Sequence, residues 1–153
     1  MLQRIQTVYL FISAILIVSL FGVSSANIFS TSGELYIYNV KGIYSAIENG
    51  GLVYPGWPVA LMAAALALLH VVVIFLYKKR QAQMRLTILS ILMETGLAAV
   101  MYYFISKGSA LLNADFNLEV PFVFPVIAAI LDYLGWRGIV KDETLIKSLD
   151  RIR

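Results

Sequence analysis

From Ile5 to Gly33, and again from Asn49 to Tyr77, the chain contains no aspartate, glutamate, lysine or arginine. A helix needs about 20 apolar residues to cross the hydrocarbon core of a bilayer, so either run is long enough to do so. Two more runs, Leu86–Ser106 and Val120–Trp136, are broken only by Glu94 and Asp132. With 60% hydrophobic and 14% charged residues, the 153-residue chain lacks the polar surface that a soluble domain requires. The pattern predicts an all-α membrane protein. It would be a four-transmembrane-helix bundle with spans at about 6–28, 57–77, 86–106 and 120–140 in a single transmembrane domain.

Arg4 before the first run and Ser24-Ser25-Ala26 near its end imitate a secretory signal. The run exceeds the usual core of such a signal, about 7 to 15 residues, so it is expected to remain as a span. Of the twelve lysines and arginines, only Lys41 and Lys107 fall between spans one and two or three and four. This bias predicts cytoplasmic termini and a cytoplasmic 78–85 loop, with loops 30–56 and 107–119 outside. The basic excess is a topology signal with an affinity for anionic headgroups, and it calls for no nucleic-acid partner.

Within the first outer loop, Leu35–Val40 and Ile43–Ile47 are rich in strand formers and flank the turn residues Lys41-Gly42. They predict a small extracytoplasmic β-hairpin. Pro58 sits harmlessly in the first turn of span two, whereas Pro125 is expected to bend span four. Tyr54, Trp57, Tyr102, Tyr103, Tyr77 and Trp136 fall where interfacial anchors belong.

The intramembrane polar residues carry most of the functional information. A carboxylate at the centre of a bilayer costs about 2.5–3.5 kcal/mol on insertion scales, so Glu94 should face protein or water. His70 lies eight residues before Lys78, and Glu94 lies nine after Arg85. At about 1.5 Å per residue both stand about 12–14 Å from those charges, at one level on neighbouring antiparallel spans. Asp132, nine residues before Lys141 but five before Arg137, belongs at that level or nearer the inner surface. Helical spacing gives each a face of companions that, apart from Trp136, are small or polar: Ala60, Ala63 and Ala67 for His70, Thr87, Ser90 and Ala98 for Glu94, and Pro125, Ala128, Ala129, Gly135 and Trp136 for Asp132. Gln6, Ser13, Ser24 and Asn27 form a comparable stripe in the first span.

Two functions fit such a centre. In one, Glu94, neutral or paired with His70, clamps the helices of an accessory or assembly subunit, with Asp132 a third polar group that joins the pair or lies nearer the inner surface, and Thr87 and Ser90 as a supporting polar face. In the other, the same groups relay a proton or bind a cation in a small conductor or transporter. Four spans leave little room for two gates, and no inverted repeat is visible. The chain is not expected to be an enzyme. It has no cysteine, one histidine, no Gly-rich phosphate loop and no HExxH or GxSxG pattern, so no catalytic residue, metal set or cofactor is assigned. After the last span, 141–153 reads as a short cytoplasmic helix. Its Leu145, Ile146, Leu149 and Ile152 form an apolar face for the membrane surface or a partner. The expected partners are the lipid bilayer and another membrane protein or a second copy of the chain.

The opening Leu2-Gln3-Arg4-Ile5-Gln6-Thr7-Val8-Tyr9, the basic loop before the third run, and the closing Lys141-Asp142-Glu143 and Ser148-Leu149-Asp150-Arg151-Ile152-Arg153 resemble a bacterial family of short four-span inner-membrane proteins of unknown function. The resemblance covers the full length. It implies a span count and residence in the bacterial inner membrane, and it supplies no catalytic residue, ligand or mechanism.

Overall fold

The computed structural model describes residues 2–30, 33–47 and 51–150, with side chains between 5 and 144 inside those limits. Four helices and five strands follow one another as α1 (Leu2–Ser19), β1 (Ala26–Ser30), β2 (Leu35–Asn39), β3 (Gly42–Ser45), β4 (Leu52–Pro55), α2 (Trp57–Phe75), α3 (Arg80–Leu111), β5 (Ala114–Leu118) and α4 (Phe124–Asp150). The helices stand side by side in a ring, α1 against α2 and α4, and α3 against α2 and α4. The strands form one antiparallel sheet in the order β4-β3-β2-β1-β5 across the ends of α1–α4 nearest Leu20, Trp57, Leu111 and Phe124.

This overturns the expected all-α, four-span bundle. Among the described residues, three helical segments are long and apolar enough to cross a membrane, Trp57–Lys78, Arg80–Leu111 and Val120–Thr144. The first apolar run does not stay helical to residue 28. α1 stops at Ser19, the chain turns through Phe21 and Gly22, and Ala26–Ser30 becomes a strand between β2 and β5. The run carries no charge from end to end, so no charged residue marks where helix gives way to strand, and β1 buries Ala26 and Ile28 while Phe29 is half exposed. The expected hairpin is the β2–β3 pair, two strands of a sheet of five. β5 arises inside the segment read as an outer loop, where Asn113 takes a φ of 45° to reverse the chain after α3.

The short C-terminal helix is also corrected. α4 continues without a break to Asp150, so 141–150 extends the last helix. Leu145, Ile146 and Leu149 lie on that extension, their side chains outside the described set, and Ile152 lies outside the described residues altogether. Pro125 bends nothing, because α4 begins at Phe124 and the proline occupies its first turn, where no intrahelical N–H is lost.

Sheet and helices share one core. Ala26, Ile28, Tyr38, Val40 and Ile43 pack with Ile17, Leu20, Val59, Met101 and Ile105, all fully buried. Side-chain bonds fasten the joint: the Ser109 hydroxyl donates to the Ala114 carbonyl, and Asn27 Nδ2 donates to Glu119 Oε1. Tyr54–Phe104, Tyr102–Phe116 and Tyr102–Phe122 ring contacts line the same level. Away from the core, Leu61, Leu68, Phe75 and Leu92 project outward from α2 and α3. Apolar faces of this extent mark contact with lipid, and the chain is a membrane protein.

Two glycines set the joint. Gly42 opens β3 with a φ of 149°, and a Cβ there would lie 2.4 Å from the Tyr54 carbonyl oxygen. At Gly108 a Cβ would overlap Ile43 Cδ1, the movable end of that side chain, so α3 and the sheet are in close contact there. Gly42→Ala is expected to lose about 1–3 kcal/mol through strain and overlap. Gly51→Ala, whose Cβ would meet nothing within 4 Å, should leave stability unchanged. Thermal unfolding of both variants in detergent checks the pair.

Candidate functional site

Each helix buries one stripe: Gln6, Leu10, Ser13 and Ile17 on α1, continued by Leu20 just past its end; Val59, Ala63, Leu66, His70 and Val73 on α2; Gln83, Thr87, Ser90, Glu94, Leu97, Met101 and Ile105 on α3; Pro125, Ala128, Asp132, Gly135 and Ile139 on α4. The steps of three and four keep each stripe on one face, turned toward the ring's axis. At one level every stripe supplies a polar residue, so Ser13, His70, Glu94 and Asp132 meet in the middle, each fully buried.

The imidazole is the hub. His70 Nε2 lies 3.2 Å from Glu94 Oε1 and 3.2 Å from Asp132 Oδ2. Ser13 Oγ lies 2.9 Å from the same nitrogen, 3.0 Å from Glu94 Oε1 and 3.4 Å from the Ala128 carbonyl oxygen. On the far side of the ring, Nδ1 is 2.9 Å from the Leu66 carbonyl oxygen one turn back. A carbonyl only accepts, so Nδ1 carries the proton and Nε2 faces the two acids. Neither Asp132 oxygen nor Glu94 Oε2 has a hydrogen-bond partner, and all three atoms are inaccessible. Asp132 Oδ2 is thus close to Nε2 without lying where a ring N–H points.

Asp132, whose depth the sequence left open, is level with the other two. Ser13 appeared in the sequence only as one position on a polar stripe, yet it touches both His70 and Glu94. The usable signal was its sevenfold spacing from Gln6, two turns along one face. Asn27, assigned to that stripe, stands instead in β1. Thr87 and Ser90 are buried, and their hydroxyls donate one turn back along α3, to the carbonyls of Gln83 and Leu86.

The surroundings differ on the two sides. Toward the sheet, Ile17, Leu66, Leu97, Met101 and Ile105 fill the axis with apolar side chains. Away from it, Leu10, Val73 and Ile139 form a smaller apolar group, while α3 continues as the buried polar column Ser90, Thr87 and Gln83. The column ends at a cavity of about 440 Å³ lined by residues that include Gln6, Phe11, Tyr77, Arg80, Gln83 and Asp142. Gln6 Nε2 donates to Asp142 Oδ2 at 2.8 Å, and Gln83 Nε2 donates to the Val73 carbonyl at 3.2 Å. The beginning of α1 and the later part of α4 therefore share one end of the molecule, with the Leu76–Lys78 turn.

A family model described as a domain of unknown function, DUF4293, matches residues 2–152. The chain belongs to the DUF4293 family. No curated protein matches it. Among the described residues of this DUF4293 chain, His70, Glu94 and Asp132 form a group that could hold a metal, each offering a ligand atom within 4.8 Å of the others. Membership names no chemistry for them, so what the cluster does rests on its geometry.

Removing the hub should be worse than removing hub and acids together. His70→Leu leaves two buried carboxylates without their shared partner, at an expected loss of about 3 kcal/mol or more. Adding Glu94→Gln and Asp132→Asn to that variant should recover part of the loss, because the uncompensated charge disappears. Denaturant titration of the single and triple variants in mixed micelles gives both values.

Proposed function

We propose that this protein is a non-enzymatic accessory or assembly subunit of a bacterial inner membrane, acting through contact surfaces on a rigid membrane-embedded core. The supporting observation is the apolar plug between the Ser13–His70–Glu94–Asp132 cluster and the sheet. A conductor needs a polar or hydrated route on both sides of its binding groups. Here a polar column leads up to the cluster from one side only, and the way onward is filled by Ile17, Leu66, Leu97 and Met101. A group closed in this way holds helices in register.

The proposed orientation puts both termini and the 76–79 turn in the cytoplasm. Lys78, Lys79, Arg80 and Arg85 cluster around that turn, and Arg137 and Lys141 follow on α4, whereas Lys41 and Lys107 belong to the end that carries the sheet. The positive-inside bias then places the sheet on the extracytoplasmic side.

On this reading, contact with another membrane protein, or with a second copy, is made outside the core. Among the described residues β4 and β5 are the edge strands of the sheet, and β4 has Leu52 and Val53 half exposed and Pro55 at its end. An edge strand offers unpaired backbone groups to an added strand. The apolar side of the α4 extension expected from Leu145, Ile146 and Leu149 is a second contact surface, on the cytoplasmic side.

The test is reconstitution of the full chain in liposomes. A scaffold leaves proton and monovalent cation leak at the level of empty vesicles from pH 5 to pH 8, both for the native chain and for Glu94→Gln, while a Val53→Lys change at the β4 edge alters what co-purifies in mild detergent. Flux above that background that depends on pH and is lost in Glu94→Gln, with co-purification unchanged, would establish the conductor instead.

A further inference from the structure

We propose that Ser13, His70, Glu94 and Asp132 bind one divalent first-row transition cation of the zinc or manganese kind, with His70 Nε2, one oxygen from each carboxylate and the Ser13 hydroxyl as its protein ligands. The inference deepens the reading of the cluster as a closed structural core and rests on it in that respect.

At this centre acceptors outnumber donors. With the Nδ1 proton committed to the Leu66 carbonyl, Nε2 is the ring nitrogen left to a metal in place of a second ring proton, and it lies 2.9, 3.2 and 3.2 Å from Ser13 Oγ, Glu94 Oε1 and Asp132 Oδ2. The serine hydroxyl supplies one proton to that whole group. It can go to Nε2 or to Glu94 Oε1, but not to both. Glu94 Oε2 and both oxygens of Asp132 remain buried with no hydrogen-bond donor. Electron-rich atoms from four helices thus converge in a place that excludes water, and the two carboxylates bring two negative charges. One divalent cation balances them and occupies the lone pairs at once.

The spacing of these atoms also suits a metal. Four ligands at bonds of about 2.0–2.1 Å in a tetrahedron are about 3.3 Å apart, and slightly longer bonds in an octahedron give about 3.1 Å. The observed separations around Nε2 and Glu94 Oε1, between 2.9 and 3.2 Å, are edges of such a polyhedron. Asp132 Oδ2 also fits a ligand better than an acceptor, since it is near the nitrogen without hydrogen-bond alignment. The Nδ1–Leu66 contact is what a metal-bound imidazole ordinarily makes with its other nitrogen, where it fixes the tautomer and ring orientation.

The donor set selects the ion. One imidazole nitrogen with carboxylate and hydroxyl oxygens, and no sulfur, suits zinc, iron or manganese, whereas magnesium and calcium prefer oxygen alone. Magnesium also keeps several waters, which this closed site does not admit. The ion's route in is the polar column of α3, from Gln83 at the cavity through Thr87 and Ser90 to Glu94, about 16 Å over eleven residues.

The experiment uses the full chain purified in mild detergent, stripped with chelator and loaded with Zn²⁺, Mn²⁺ or Co²⁺. The site predicts about one ion per chain by mass spectrometry after desalting, a higher unfolding temperature with metal than without, and visible Co²⁺ absorption bands that mark nitrogen and oxygen ligation. Mg²⁺ at the same concentration should do none of this. Glu94→Gln and Asp132→Asn should each weaken binding at least tenfold. A folded native chain that retains no ion and shows no thermal shift overturns the site, as does equal retention by the Glu94→Gln/Asp132→Asn double variant, which would mean surface binding. Because the first of these outcomes needs only the native chain, misfolding of a variant does not obscure it. Absence of metal together with absence of liposome flux would remove the ion and leave the scaffold reading standing. Flux with stoichiometric metal would do the reverse.

Discussion

A single imidazole, touched by a hydroxyl and two carboxylates that arrive on three other helices, sets the arrangement of this molecule. In hydrocarbon no polar side chain can turn to solvent, so the four groups are left to one another and to the Leu66 and Ala128 carbonyls beside them. That requirement fixes which face of each helix points inward and at what height the helices stand against one another. Hydrogen bonds between membrane helices contribute only about 0.6 kcal/mol each on average, so their main effect is on which packing is chosen. The stripes of Ala63, Ala128 and Gly135 then let the helices approach closely enough for the choice to be realised.

The sheet completes what the cluster begins. It joins the ends of the helices through β1 and β5, which are far apart in sequence yet neighbours in space, and it buries Ile28, Tyr38 and Ile43 on the same core that seals the cluster from above. Because Tyr38 is fully buried with its hydroxyl unpartnered, burial raises its pKa above the ordinary tyrosine range and keeps the ring neutral. The helical part and the sheet are therefore one packed unit, with a dry upper half and a polar column below.

How much of this was legible in the sequence depended on which physical signal each residue carried. His70 and Glu94 could be placed at one level because charged residues flank both runs and a helix has a fixed rise. Asp132 could not, since Arg137 and Lys141 give two different anchors for its depth. Ser13 was visible as a member of a polar stripe, but nothing in the chain says that a serine, of all the positions on α1, reaches the imidazole. The fold was less readable. Ala26–Ser30 has the same apolar character as the residues before it, so one span was expected where the chain holds a helix and then a strand. β5 is short and polar at Asp115 and Asn117, and its pairing with β1 is a long-range contact that local pattern does not contain. α4 passes through 141–150 without interruption because no glycine or proline stops it there.

The chain has one histidine, so nitrogen-15 NMR of histidine-labelled protein in bicelles reports on the hub alone. The account expects a ring whose Nδ1 is protonated and resists exchange with deuterated solvent, and whose Nε2 signal moves in both Glu94→Gln and Asp132→Asn. An imidazole that exchanges freely, or that ignores both substitutions, would contradict it.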